Sequence, residues 1–194
     1  WYMGDDSQNE YLYKFVSTKV WDAADATGGL AAGDKYMDDG KLYVAQFKAD
    51  GTGVWLELKL GSNNIVPGYA AYAFANQADV LVNTRHAADA AGATKMDRPE
   101  WTAVNPKNGD VYLTLTNNSA RALASTDAAN PRYYNDPKGA AKTAQRGNPN
   151  GHVVRFADAN RDPAATSFTW DVYLFGSRAT MSADINASGL TEDN

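Results

Sequence analysis

Arg98 and Glu100 are the residues of this chain whose types and spacing most clearly suggest chemistry. They stand two positions apart around Pro99, within residues 96–101, directly before a predicted strand–turn–strand. A guanidinium binds phosphate oxygens through paired hydrogen bonds, and a carboxylate is a ligand for hard cations. Arg98 could instead form a structural ion pair with Glu100 or with Asp97. The motif therefore predicts either a phosphate-and-metal site at the mouth of a sheet or a buried salt bridge.

Asp5 and Asp6 form an acidic pair far upstream of this motif. The pair follows Gly4, whose missing β-carbon would let the backbone approach a site closely, and it precedes a predicted strand. Taken alone, two aspartates before a strand are typical of an ordinary turn. The residues alone therefore leave open whether this is a turn or a second source of carboxylate ligands.

Other residues with chemical potential have plainer interpretations. Residues 158–162 have the spacing of oxygen ligands in a calcium loop. Pro163 replaces the required glycine and no glutamate follows in place, so a hairpin turn is predicted. The chain has two histidines, which excludes a histidine-based metal cluster, and His152 is predicted as a strand residue. Arg85 and Arg121 could add positive charge near a phosphate, although ion-paired or solvated roles are favoured.

Composition predicts one sizeable globular domain. The chain has 194 residues, of which 44% are hydrophobic and 21% charged, with a net charge of −5. An acidic chain without clustered Lys and Arg argues against a nucleic acid partner. No apolar run approaches the roughly 18 residues of a membrane span, so no membrane partner is expected. Cysteine is absent, which excludes disulfides and cysteine-ligated metals within these residues. Both ends suggest a piece of a longer protein.

Strands dominate the predicted secondary structure. Alternating apolar and polar residues, bounded by turn residues, predict strands over residues 10–17, 41–47, 53–58, 101–104, 111–115, 151–156 and 168–175. Asp50-Gly51 and Asn108-Gly109 lie between such runs, as in β-hairpins. Core packing is predicted for four tryptophans, namely Trp21, Trp55, Trp101 and Trp170.

Only one segment favours a helix. Residues 83–92 predict a short Ala-rich helix that stops at Gly92, and residues 77–82 are ambiguous between helix and strand. Residues 23–40 and 120–150 are rich in Gly, Ala, Asp, Asn and Pro and are predicted as long loops. Loosely repeated hairpins favour an all-β fold built of β-propeller blades, with a β-sandwich as the alternative.

Several longer motifs resemble the PhoX-type bacterial alkaline phosphatases. The motifs occupy residues 4–16, 84–94, 96–101, 113–121, 130–132, 151–155 and 168–171. They contain Trp, Pro and Gly at fixed places, and their order and spacing cover nearly the whole chain. The resemblance is therefore more specific than a single short motif would be.

This resemblance implies a fold and an activity. It implies a six-bladed propeller of which residues 1–194 form roughly three blades, with iron and calcium in a central site that hydrolyses phosphomonoesters. It implies Arg98 as a catalytic residue that binds the phosphoryl group. It implies Glu100 and Asp5 as metal ligands, with Asp5 preferred over Asp6. It also implies export through the twin-arginine route to the periplasm or the outside of the cell.

The resemblance further implies that this chain is only part of an enzyme. The family's cysteine ligand to iron and several acidic ligands have no counterpart in these residues. We therefore expect the isolated chain to be inactive, and we expect another fragment or a symmetry copy to close its open blade faces. The alternative function is a non-catalytic propeller or sandwich module with a structural or binding role.

Overall fold

The computed structural model describes residues 1–136 and 145–176, and these contain twelve β-strands and three α-helices. The strands are β1 (Tyr2–Gly4), β2 (Gln8–Glu10), β3 (Leu12–Ser17), β4 (Gly40–Phe47), β5 (Thr52–Glu57), β6 (Met96–Asp97), β7 (Pro99–Val104), β8 (Val111–Leu115), β9 (Tyr134–Asp136), β10 (Gln145–Gly147), β11 (His152–Asp158) and β12 (Ser167–Phe175). The helices are α1 (Gly29–Met37), α2 (Gln77–Val82) and α3 (Thr84–Ala91).

Eight strands form one antiparallel sheet in the order β1-β3-β4-β5-β12-β11-β8-β7. The sheet consists of two four-stranded halves, which join where β5 pairs with β12. Its two outer strands, β1 and β7, also approach each other, and the Thr102 hydroxyl donates a hydrogen bond to the Tyr2 carbonyl at 3.0 Å. The sheet is therefore nearly closed, and two smaller pairs, β2-β6 and β9-β10, lie outside it.

The inner face of the sheet encloses an aromatic core. Strand alternation sends Trp55, Phe156 and Phe168 inward, and their ring centroids lie between 4.9 and 5.8 Å apart. Lys14 and Asp158 form an ion pair of 2.7 Å inside this core, with both side chains almost fully buried. Burial lowers the pKa of Lys14, and the charge of Asp158 opposes that effect.

Helices α2 and α3 cover the outer face of the half that contains β3 and β4. Val80 of α2 and the alanines of α3 are buried against Tyr11 and Val44. Alanine has a small side chain, so the helix backbone can lie close to the sheet. Asn76 caps α2 through a 2.9 Å bond from the Asp79 amide, and α3 ends at Gly92 in the left-handed conformation that favours glycine.

The predicted all-β class and the predicted Ala-rich helix are confirmed. The ambiguous residues 77–82 are helical, and residues 158–162 connect β11 to β12 as a hairpin turn, as predicted. Within residues 23–40, where a loop was expected, a 3₁₀ turn (Ala23–Thr27) and α1 form instead. Gly28, Gly29 and Gly33 suggested a loop there, but helix is favoured by Leu30, Ala31 and Ala32 between them and by Lys35 after them.

The described residues also test the predicted tryptophan core and part of the predicted loop 120–150. Trp55 and Trp170 pack in the core, but Trp21 and Trp101 are 61% and 71% exposed, so their predicted burial is wrong. Trp101 lies on β7, the last strand in the sheet order, where four of the six residues are exposed. Within the predicted loop 120–150, β9 and β10 pair, and residues 137–144 lie outside the described residues.

No described helix has the length and apolar character needed to cross a membrane.

Candidate functional site

Two segments that are far apart in sequence meet where β1 lies beside β7. Gly4 is the point of closest approach, since a β-carbon built on it would stand 2.5 Å from the Pro99 carbonyl oxygen. Beside this contact, the guanidinium of Arg98 lies 2.9 Å from the carboxylate of Asp6. The structure therefore brings the Gly-Asp-Asp segment and the Arg-Pro-Glu segment together, because glycine alone permits this approach.

Arg98 has a backbone conformation that non-glycine residues rarely adopt. Its φ of 58° lies in the left-handed region, at a cost of order 1 kcal/mol. The residue stands between β6, which pairs with β2, and β7, which pairs with β8. Its carbonyl accepts a bond from the Thr116 amide at 3.2 Å. The unusual φ thus marks the point where the chain leaves one sheet and joins the other.

The ion pair of Arg98 is with Asp6 and not with its sequence neighbour Glu100. The side chains of Arg98 and Asp6 are 33% and 42% exposed, and a pair this accessible to water contributes less than about 1 kcal/mol. Glu100 is exposed and accepts a 3.3 Å bond from the indole of Trp101. Both groups of the Arg-Pro-Glu motif are therefore accessible to an incoming anion or cation.

Asp5 has a cationic partner of its own. Arg85 donates to both oxygens of Asp5 at 2.7 Å and lies 3.4 Å from a carboxylate oxygen of Glu10. That oxygen of Glu10 is buried and has no hydrogen-bond partner among the described residues. Burial raises the pKa of Glu10, the charge of Arg85 opposes this shift, and the charge of Asp5 adds to it. The expected ion-paired role of Arg85 is confirmed, and Glu10 is a site residue that sequence reasoning missed.

Asp97, which directly precedes Arg98, is a second candidate residue that sequence reasoning missed. Its side chain is fully buried, and it accepts bonds from Asn118, Arg121 and Asn148 at 2.8 to 3.0 Å. The expected ion-paired role of Arg121 is thereby confirmed. His152 is the first residue of β11, as predicted, and lies beside Asn148 in the same buried network. The signal in the sequence was the asparagine-rich segment at residues 117–121, which was noted only as part of the resemblance.

The carboxylates at the junction where β1 lies beside β7, called the seam below, suit a hard cation but do not complete a coordination shell. Asp5, Glu10 and Glu100 supply carboxylate oxygens, the type of ligand that calcium and ferric iron prefer. Among the described residues, no hydrogen-bond donor satisfies the buried oxygen of Glu10. Within residues 1–136 and 145–176, however, no three acidic or histidine side chains are grouped closely enough to hold a metal. A metal bound here would need further ligands from outside the described residues.

The fold and the site together define an all-β protein with arginine and carboxylate side chains gathered at a sheet seam. The family model of alkaline phosphatase PhoX matches residues 1–194, so the chain belongs to the PhoX family. The chain is also similar to the solved structure of Pseudomonas fluorescens PhoX in complex with vanadate, a transition state analogue, with 36% identity and a TM-score of 0.75. That match covers 100% of this chain and 32% of the PhoX chain. No curated protein matches the chain.

Proposed function

We propose that this chain contributes part of the active site of a metal-dependent phosphomonoesterase of the PhoX alkaline phosphatase type. One observation carries the proposal. Gly4 and Pro99 pack so closely that Asp6 meets Arg98, in a chain 36% identical to a phosphatase whose structure contains a phosphate-like anion. The chain spans about a third of that relative's length, so the activity belongs to the longer protein.

Arg98 would bind the phosphoryl oxygens. Its guanidinium is partly exposed, and its only ion pair in the described structure is the solvent-screened one with Asp6. A phosphate dianion offers two oxygens to the planar guanidinium and more charge than a single carboxylate, so it can displace Asp6. As charge builds on the transferring phosphoryl group, a fixed guanidinium stabilises the transition state more than the ground state.

Asp5 and Glu100 would hold the metal, and iron and calcium are the cations that the family resemblance implies. Bound there, the metal would supply Lewis-acid stabilisation of negative charge on the phosphoryl group. Glu100 is accessible for this role because its carboxylate is exposed. Each oxygen of Asp5 accepts one bond from Arg85 and has a second lone pair that could bind the metal. Arg85 balances the charge of Asp5 and Glu10 as long as no cation is bound.

The rest of the protein would complete the site. In this proposal the chain forms part of a six-bladed propeller, and the missing ligands come from the remaining blades. The isolated chain is then inactive, and its open sheet faces pair with the rest of the protein, another fragment or a second copy. Export to the periplasm or the outside of the cell rests on the resemblance alone.

Replacement of Arg98 tests the proposal. In the full-length protein, we expect Arg98→Ala to lower kcat/KM for p-nitrophenyl phosphate by about 100-fold or more. Arg155→Ala is the matched control, because Arg155 also forms an exposed ion pair, with Asp171 on the outer face of β11 and β12. Unchanged kcat/KM in Arg98→Ala would remove Arg98 from the site.

Elemental analysis separates the enzyme from a structural module. We expect full-length protein purified without chelator to contain iron and calcium, and Glu100→Gln to lower the content of at least one of them. Full-length protein with neither metal, and without phosphatase activity, would instead favour the non-catalytic module.

A further inference from the structure

We propose that Asp97 is a positioning residue whose buried carboxylate holds Arg98 in its phosphate-binding position. The inference rests on the proposed function of Arg98, which Asp97 directly precedes. Asp97 is fully buried, so it cannot contact substrate itself. Its role must act through the groups that it binds.

The carboxylate of Asp97 ties three separate segments together. One oxygen accepts bonds from Asn118 and from the Nε of Arg121, both at 2.8 Å, and the other accepts from Asn148 at 3.0 Å. Arg121 is itself buried, and it donates to the Ser125 and Lys95 carbonyls. A buried ion pair whose remaining hydrogen bonds are satisfied resists displacement, because each charge depends on the other.

Asn148 connects this ion pair to His152. The Nε2 of His152 lies 2.7 Å from the Ala129 carbonyl, which can only accept, so Nε2 carries the proton. In the neutral ring, Nδ1 then accepts the 3.2 Å bond from the Asn148 amide. Burial lowers the pKa of His152 and so favours this neutral form. The Asn148 amide therefore donates both hydrogens, one to Asp97 and one to His152, and its orientation is fixed.

The network fixes the backbone on both sides of Arg98. Before it, Asp97 is held by its side chain and by the pairing of β6 with β2. After it, the Arg98 carbonyl accepts from Thr116, and Pro99 pairs with Leu115. Thr116 and Asn118 both follow β8, so the segment after this strand binds both the Arg98 carbonyl and the Asp97 carboxylate. The left-handed φ of Arg98 persists because these contacts over-determine it.

The decisive variant is Asp97→Asn. Its amide nitrogen would face either Asn148 or the cationic Arg121, each of which also donates, so one hydrogen bond becomes a repulsion. We expect kcat/KM for p-nitrophenyl phosphate to fall about 10- to 100-fold in the full-length protein, as when a catalytic group is misplaced by about 1 Å. In an Arg98→Ala background the same change should have almost no further effect on kcat/KM.

That non-additivity distinguishes positioning from general destabilisation. Asp158→Asn is the matched control, because Asp158 is also buried and paired with a cation, Lys14, elsewhere in the core. Its effect on kcat/KM should be the same with and without Arg98. If Asp97→Asn does not fold, Asn148→Ala is the substitute variant. It removes the donor to one Asp97 oxygen, together with the Asn148 bonds to His152 and Gly151, and leaves the Arg121 pair, so the same cycle applies.

The experiment distinguishes a wrong positioning role of Asp97 from failure of the proposed function of Arg98. If Arg98→Ala itself leaves kcat/KM unchanged, the proposed function fails. If Arg98→Ala lowers kcat/KM but the effect of Asp97→Asn, or of its substitute Asn148→Ala, is absent or additive, the positioning role of Asp97 is wrong. Loss of activity that depends on Arg98, in protein with an unchanged circular dichroism spectrum, supports it.

Discussion

Gly4 and Pro99 are in contact at a distance that only glycine allows, with a hypothetical β-carbon 2.5 Å from the carbonyl oxygen and 2.6 Å from the carbonyl carbon. We therefore expect Gly4→Ala to force β1 and β7 apart and to destabilise the protein by about 1–3 kcal/mol, as overpacking does. Urea unfolding measures this. Gly33→Ala is the control, since Gly33 lies in α1 with nothing within 4 Å of its β-position, and helix propensity there favours alanine. Equal stability of Gly4→Ala and wild type would show that β1 and β7 can move apart at this contact without loss of stability.

The buried pair of Lys14 and Asp158 predicts an asymmetric response to mutation. Asp158 accepts from Lys14, Tyr2 and the indole of Trp55, so Asp158→Asn leaves the Lys14 ammonium buried without its counter-charge. We expect a loss of about 3–5 kcal/mol in the free energy of unfolding. Asp171→Asn, which breaks an exposed pair with Arg155, should cost less than about 1 kcal/mol. Similar losses for the two variants would contradict the burial of the Lys14 pair.

Stability should fall as the solution becomes mildly acidic, because of His152. Burial lowers its pKa in the folded protein below the ordinary value of 6.5, so the unfolded chain takes up the proton first. Stability is therefore full above about pH 6.5 and declines below it until the folded pKa is reached. The charged groups around the ring are Asp97 and Asp127, which raise its pKa, and Arg121, which lowers it.

Thermal unfolding between about pH 5 and 7 tests this dependence. In His152→Gln, the decline over that range should flatten, although the variant also loses part of the network. His86→Gln is the control, because His86 is exposed and stacks on Tyr72 with ring centroids 4.8 Å apart. A decline of the same steepness in His152→Gln would assign the pH dependence to other groups.

Arg85 should compete with a cation for Asp5. Arg85→Gln removes the positive charge that lies on Asp5 and near Glu10. If Asp5 is a calcium ligand, we expect calcium to bind about tenfold more tightly or better, since unit charges about 4 Å apart interact by about 1 kcal/mol even with the full screening of bulk water. Isothermal titration calorimetry measures the affinity, and Asp5→Asn should abolish the gain. Weaker calcium binding in Arg85→Gln would show that Arg85 orients Asp5 for the metal.

Local sequence patterns correctly predicted the turns and helix ends that depend on the conformation of one or two residues. Asp50 accepts from the Thr52 amide, and Gly51 takes a φ of 79°, so that hairpin was recognisable from the dipeptide. Gly92 likewise marked the end of α3. Helix α1 was missed because its glycines outweighed the helix formers between them. Trp101 was assigned to the core by its size, whereas its exposure depends on the position of β7 at the end of the sheet.

The candidate site was only partly predictable, because its contacts join distant segments. The resemblance named Arg98, Asp5 and Glu100, and the structure brings the segments that carry them together without testing their roles. Nothing in the local pattern indicated that Asp6 would pair with Arg98. The burial of Asp97 and the unpartnered oxygen of Glu10 were equally invisible, because they depend on which side chains arrive from elsewhere in the chain.

The long sequence separations at the seam also determine when the site can form. Asp97 binds groups 21, 24 and 51 positions later in the chain, and Tyr2 binds Thr102, 100 positions away. Contacts at such separations form slowly, because a large loop must close before any of them stabilises the structure. During synthesis, Asp97 lacks one of its three side-chain partners until Asn148 has left the ribosome. Arg98 is thus held in place only after nearly the whole sheet exists, and phosphate binding by this chain would report completed folding.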